Sequence, residues 1–180
     1  MKYLNLLPIL FCALSAFSQE MYQASSGKIS FHSDAPVEKI EAINTKAKSL
    51  LNISNNKIAV VIPVIEFKFE SPLMEEHFNE NYMETEKYKT ASFQGVINEK
   101  IDFSKNGTYP VTATGKFSIH GVEVERTLSG TILIEKEKIT IDSEFKVKLE
   151  DHKIKIPTVV VKNIAEIVDV KFHIEYEPKK

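Results

Sequence analysis

Over long stretches the chain alternates apolar and polar residues with a period of two, and that pattern restricts it to sheet structure with one buried and one solvated face. Val111, Ala113, Gly115, Phe117 and Ile119 alternate with Thr112, Thr114, Lys116, Ser118 and His120. Ile139, Ile141, Ser143, Phe145, Val147 and Leu149 alternate with Thr140, Asp142, Glu144, Lys146 and Lys148. Val168, Val170, Phe172, Ile174 and Tyr176 alternate with Asp169, Lys171, His173 and Glu175. Residues 58–65 are apolar on both faces, then resolve into Phe67 and Phe69 against Glu66, Lys68 and Glu70. With segments 28–33, 39–51, 91–97 and 122–135 the pattern predicts about eight strands, several of them long. Turn residues mark many of the breaks: Asn55-Asn56, Asn106-Gly107, His120-Gly121 and Asp151-His152; residues 135–138 reverse the chain on charged residues alone. Long strands in up-and-down order predict a closed antiparallel barrel, because closure removes exposed sheet edges.

One segment breaks the rhythm. Ser71 as N-cap, Pro72 at the first helical position and Glu75 and Glu76 in the first turn predict a helix running through His77 and Phe78 to about Tyr82. A weaker helical candidate spans 162–167. Gly95, Gly115 and Gly130 fall inside strands, each on the inward parity. A glycine there serves either barrel curvature around a filled core or a hollow left by missing side chains, and both readings stand at this point. Eight strands make a barrel just wide enough to be filled or to hold one small ligand.

The first residues set the expected compartment. Lys2, an apolar stretch from Leu4 to Phe17, and small residues Ala16 and Ser18 have the order of a secretory signal peptide cleaved before Gln19. The apolar stretch is too short to span a bilayer, and no later run is longer, so residues 19–180 are expected as one soluble exported domain. Phe11 stands where a lipoprotein signal at Cys12 needs a small residue. Cys12 is the only cysteine; with the leader gone, a disulfide framework, a thiol nucleophile and a cysteine zinc site are excluded. The net charge is −2 and Arg126 is the only arginine, which speaks against nucleic acid as a partner.

The segment Leu73-Met74-Glu75-Glu76-His77-Phe78-Asn79-Glu80-Asn81-Tyr82-Met83, followed by Lys87-Tyr88 and by Phe93 and Gly95, resembles the YceI-like family, in its branch with an "LM-x-x-HFNENYM" segment. Gly115, Phe117 and Ile119-His120-Gly121-Val122 resemble that family's glycine-flanked strand and turn, and Asp151 through Ile156-Pro157 resembles its "D…I.IP" stretch. The match covers nearly the whole chain after the leader; Lys89 stands where the common form of the family has proline. The resemblance implies an extended lipocalin-like eight-stranded barrel in the bacterial periplasm, with relatives that hold a long polyisoprenoid chain inside.

On the inward parity lie Phe31, Ile65, Phe67, Phe69, Phe93, Ile97, Phe117, Ile119, Leu128, Ile132, Phe145, Val170 and Phe172, which with Phe78 form the expected apolar tunnel; plain core is the alternative for each. Arg126 falls on the same parity. It is either a clamp for a phosphate or carboxylate head group or a rim residue paired with Glu123 or Glu125. His77, with Phe78, belongs to the helical segment, as a lid over the opening or as packing of the barrel end. His120 reads as a turn residue. The histidines His32, His77, His120, His152 and His173 show no metal-ligand spacing, and neither a nucleophile-elbow motif nor a phosphate loop occurs. The expectation is a binding protein without cofactor or metal that holds an isoprenoid or similar lipid. The competing expectation is a stress or assembly factor with a filled barrel that works through protein contacts; oligomeric state is left open.

Overall fold

A computed structural model describes residues 20–157 and 164–179, so the expected signal peptide, residues 1–18, lies outside the described residues. The strands are β1 (Met21–Asp34), β2 (Lys39–Asn44), β3 (Lys48–Asn52), β4 (Lys57–Pro63), β5 (Lys68–Phe69), β6 (Thr90–Ile97), β7 (Gly107–Ile119), β8 (Val122–Glu135), β9 (Lys138–Lys148) and β10 (Ile167–Pro178). They form one sheet in the order β10-β9-β8-β7-β6-β4-β3-β1-β2-β5, and pairing of β10 with β1 closes it. β2 and β3 both pair with β1 and are two pieces of one broken strand; β4 and β5 pair with β3 and β2 and are two pieces of another. The result is a closed eight-stranded antiparallel barrel.

The two breaks share a cause. Asn44, fully buried, donates from Nδ2 to the Pro63 carbonyl at 2.8 Å and accepts the Lys46 amide on Oδ1 at 2.8 Å. That Asx turn ends β2, while Pro63, with no N–H to give to the ladder, ends β4 and opens a 3-10 turn at Val64–Glu66. The turn shifts the parity of the residues after Pro63: Val64 and Phe67 are buried, and Ile65 is 50 % exposed. Ile65 therefore does not face inward as alternation alone predicts.

Elsewhere the alternation holds. Ala91, Phe93 and Ile97 on β6, Val111 and Phe117 on β7, Ile132 and Ile134 on β8, Ile139, Ile141 and Val147 on β9, and Val168, Ile174 and Tyr176 on β10 are buried. The charged reversal after Glu135 is a two-residue hairpin in which Lys136 takes φ 59° and its amide is received by Asn106 Oδ1 at 2.8 Å. At the β7–β8 turn His120 and Gly121 both take positive φ, 51° and 71°, as a tight hairpin with the sheet's twist requires. Helix α1 (Pro72–His77) starts as expected, with Ser71 Oγ accepting the Met74 amide at 3.4 Å, and continues as a π-helical turn, Phe78–Tyr82. The weaker helical candidate is not borne out where it is described: residues 164–166 are not helical and β10 begins at Ile167; residues 162–163 lie outside the described residues.

The strand glycines share one reading, and one of them also touches the other. Gly95 and Gly115 face each other across β6 and β7, and a Cβ on either would collide with the opposite strand's backbone; at Gly95 it would also lie 2.7 Å from the Phe93 ring. They serve close approach and curvature. Gly130, opposite Ser143, serves close approach too, since a Cβ there would lie 2.5 Å from the Asp142 carbonyl oxygen, and it also borders the interior cavity.

Candidate functional site

The barrel has two unlike ends. At one, Leu51, Ile134, Ile139, Ile174 and Tyr176 are fully buried, Ile101 and Phe103 from the β6–β7 connection pack onto them, and Tyr176 Oη meets Ser49 Oγ at 2.6 Å. At the other, the chain ends of β1, β5, β9 and β10 surround a cavity of about 310 Å³ that runs inward as far as Ile97, Val111, Ile132 and Ile141. The five residues of the closed end are not in its wall. The cavity is blind at that end.

The wall contains Phe31, Phe67, Phe69, Phe93, Ile97, Phe117, Ile119, Leu128, Ile132, Phe145, Val170 and Phe172 of the inward parity, and Phe78 and His77 of the helical segment. Ile65 is absent from it, carried outward by the 3-10 turn after Pro63. Among the described residues the titratable side chains in the wall are Glu38, His77 and Tyr82, all from segments at the open end. Burial raises the pKa of Tyr82. A charged group deep in this interior would find no counter-ion among the described wall residues, so the arrangement suits an apolar chain.

Phe78 is the hub of the open end. Its ring lies 5.5 Å from Phe31, 5.8 Å from Phe67 and 4.9 Å from Phe69. Met74, Phe78 and Tyr82, four apart, all reach the cavity from one face of the helical segment. Yet that segment contains no buried residue. It is held by polar ties. Glu75 bonds Lys68 Nζ at 2.6 Å and the Phe69 amide at 3.3 Å, and the Lys68 bond keeps its carboxyl below the usual range. Asn79 Nδ2 donates to the Glu75 carbonyl at 2.9 Å.

Beyond the helix a clasp gathers three segments. His120, a turn residue by position, is buried: Nε2 lies 2.8 Å from Glu84 Oε2, Nδ1 lies 3.2 Å from the His152 carbonyl, and the Tyr88 ring packs on it at 4.3 Å. Tyr88 also occupies the space that a Cβ on Gly121 would need. His152, in a 3-10 turn at Leu149–His152, is buried against Phe117, with ring centroids 5.5 Å apart, and burial lowers its pKa. Sequence reading missed this clasp, and in the wall it missed Ser33 and Glu38 at the end of β1 and just beyond it, and Ile154 and Ile164, which lie on the 149–166 connection, where there is no periodicity to read.

Arg126 is not in the wall. Its guanidinium crosses from β8 to β9, donating to the Lys146 carbonyl at 2.9 Å, and lies 5.4 Å and 5.8 Å from the centroids of Phe117 and Phe145, which are in the wall. It makes no ion pair with Glu123, which Lys116 holds at 2.8 Å, or with any other described carboxylate. Among the described residues no group of three or more His, Cys, Asp or Glu is placed to hold a metal, and no helix is long and apolar enough to cross a membrane.

A closed eight-stranded antiparallel barrel around an apolar cavity places the protein among the lipocalin-like barrels. Residues 21–176 match the model of the YceI-like domain, and the chain belongs to that family. Three solved structures share the fold. A polyisoprenoid binding domain from Saccharophagus degradans has a TM-score of 0.75 at 13 % identity, covering 88 % of this chain and 98 % of that one. BcnA of Burkholderia cenocepacia has 0.70 at 18 %, covering 83 % and 95 %. A Campylobacter jejuni YCEI protein has 0.58 at 20 %, covering 72 % and 78 %. No curated protein matches the sequence.

Proposed function

We propose that the protein is an exported, periplasmic carrier or sequestering protein that binds a long apolar lipid, foremost an isoprenoid, and catalyses no reaction on it. The observation that carries the reading is the blind cavity, whose described wall is mostly aliphatic side chains and phenylalanines and whose described titratable groups stand at the open end. Each methylene buried there gains about 0.8 kcal/mol, so a long chain binds well without specific polar contacts. The volume, about 310 Å³, lies at the lower end of the usual range for small-molecule sites, and a chain longer than the cavity extends beyond it. The polyisoprenoid binding domain of the same fold supports an isoprenoid over other lipids. An assembly factor with a filled barrel would have no such cavity.

Purification from the native host, organic extraction and mass spectrometry test the reading. Stoichiometric lipid is expected. Recovery of none, together with no uptake of added polyprenyl compounds, would overturn it.

A further inference from the structure

β8 and β9 part company halfway along the barrel. Their ladder runs from Glu135 opposite Lys138 to Gly130 opposite Ser143 and stops. β8 remains paired with β7 as far as Val122, and β9 remains paired with β10 as far as Lys148. Residues 122–129 and 144–148 thus border a seam in the closed sheet with no ladder bonds across it. Unpaired strand edges are costly and prone to wrong pairing, so a seam inside an otherwise closed barrel calls for a reason.

Side chains span it instead. Ser143 Oγ donates to the Ser129 carbonyl at 2.6 Å, and Arg126 reaches the Lys146 carbonyl. The cavity extends to this place from both sides: Leu128, Ser129 and Gly130 of β8 and Ser143, Phe145 and Val147 of β9 are in its wall. Ser129 is an exposed residue of the outer parity, so here the cavity wall and the outer surface meet.

We propose that the β8–β9 seam is a side port at which the polar end of the bound lipid emerges, and that Arg126 binds an oxyanion there, a phosphate or carboxylate carried on the apolar chain. This rests on the reading of the cavity as a lipid site. Among the described residues the interior has no cation to meet a charged head, and the closed end is plugged. Arg126 has a planar fork of donors, of which Nη2 is engaged by the Lys146 carbonyl, and no carboxylate partner among the described residues. Of the acids near it, Lys116 holds Glu123 at 2.8 Å and Lys171 holds Glu144 at 3.2 Å, while Glu125, exposed on the outer parity, makes no ion pair with it. The guanidinium lies on Phe117 and Phe145, so an anion bound to it sits beside a chain packed against those same rings.

Calorimetric titration of the whole protein with geranylgeranyl monophosphate and with geranylgeraniol, the same chain without the charge, tests the port. The phosphate should bind about tenfold or more tighter than the alcohol, as a charge-assisted, two-bond contact gives. Arg126→Met should remove that preference and leave the alcohol's affinity within about twofold, which also certifies that the variant is folded. Arg126→Lys, charged but without the fork, should fall between them. Equal binding of both probes by the native protein, or a preference that survives Arg126→Met, overturns the port while the lipid-binding reading stands. Failure of both probes to bind defeats that reading and the port with it. Inorganic phosphate alone should neither bind nor compete at millimolar concentration; if it does both, the site takes free phosphate and the lipid-head assignment is wrong.

Discussion

The two ends of the barrel are packed in different ways from one alternating sequence. The closed end is a set of isoleucines from β8, β9 and β10 with Leu51 and Tyr176, all fully buried. Branched side chains with few rotamers interlock there at high density. The open end is a cluster of phenylalanines, Phe31, Phe67, Phe69 and Phe78, most of them tilted or edge-on to one another, under a helical segment that has no buried residue. Flat rings held by such contacts and a helical segment held by polar ties can rearrange without unfolding the sheet. With the proposed lipid in the cavity, the difference assigns stability to one end and exchange to the other, since elements that open for a ligand come from the less stable parts of a fold.

The largest effect that can break this comparison lies at the closed end. Ile174 is fully buried and packs over Gly27 of β1, where even a Cβ would lie 3.0 Å from its side chain. Ile174→Ala should cost about 2–5 kcal/mol in denaturant unfolding, with release of bound lipid no faster until the barrel melts. A loss below about 1 kcal/mol would show that this end is not where the stability resides.

Phe78→Ala sharpens the comparison from the other side. Phe78 is half-buried and touches three other rings, so its loss should cost about 1 kcal/mol, the scale of a few aromatic contacts at a site that can collapse. Release of lipid should quicken in the same preparation. A stability loss matching that of Ile174→Ala, with release unaltered, would end the lid and return the segment to core.

Legibility in the sequence divides along similar lines. Along β6 to β10 alternation names the buried face residue by residue, because nothing interrupts the pleat that enforces it. At Ile65 it fails, since Pro63 and the buried Asn44 break adjacent strands at one level and reset the parity beyond. At Arg126 it fails differently. The parity is right, but alternation assumes a neighbouring strand, and at the seam that strand has separated, so the guanidinium crosses to Lys146 instead of entering the cavity. The His120 clasp was out of reach because Glu84 lies 36 residues away in the chain and pairs with it only once the barrel closes. The helical segment was legible because its start is local: Ser71 and Pro72 need no distant partner.

Titration gives the smallest effect and separates the two ends by sign. Tyr176, at the closed end, has its pKa raised by burial above the ordinary value of 10.0. Above pH 10 the unfolded chain therefore ionises this phenol while the folded one retains its proton, so the contribution is whole below that pH and falls as the pH rises. His152, on the open-end turn, has its pKa lowered by burial below the ordinary 6.5, with the charge of Arg126 acting in the same direction. Below pH 6.5 the unfolded chain binds a proton that the folded one refuses, so its contribution is whole above that pH and is lost as the pH falls. Tyr176→Phe should flatten the alkaline arm of the stability curve, and His152→Phe should flatten its acid arm between about pH 7 and 5, above the carboxylate range. Release of bound lipid should quicken in mild acid in the native protein and not in His152→Phe, because the turn closes the end through which the chain passes. It should be indifferent to Tyr176→Phe. An acid slope that survives His152→Phe, or a release rate that follows Tyr176, would mean that the two ends are not the independent structures their packing describes.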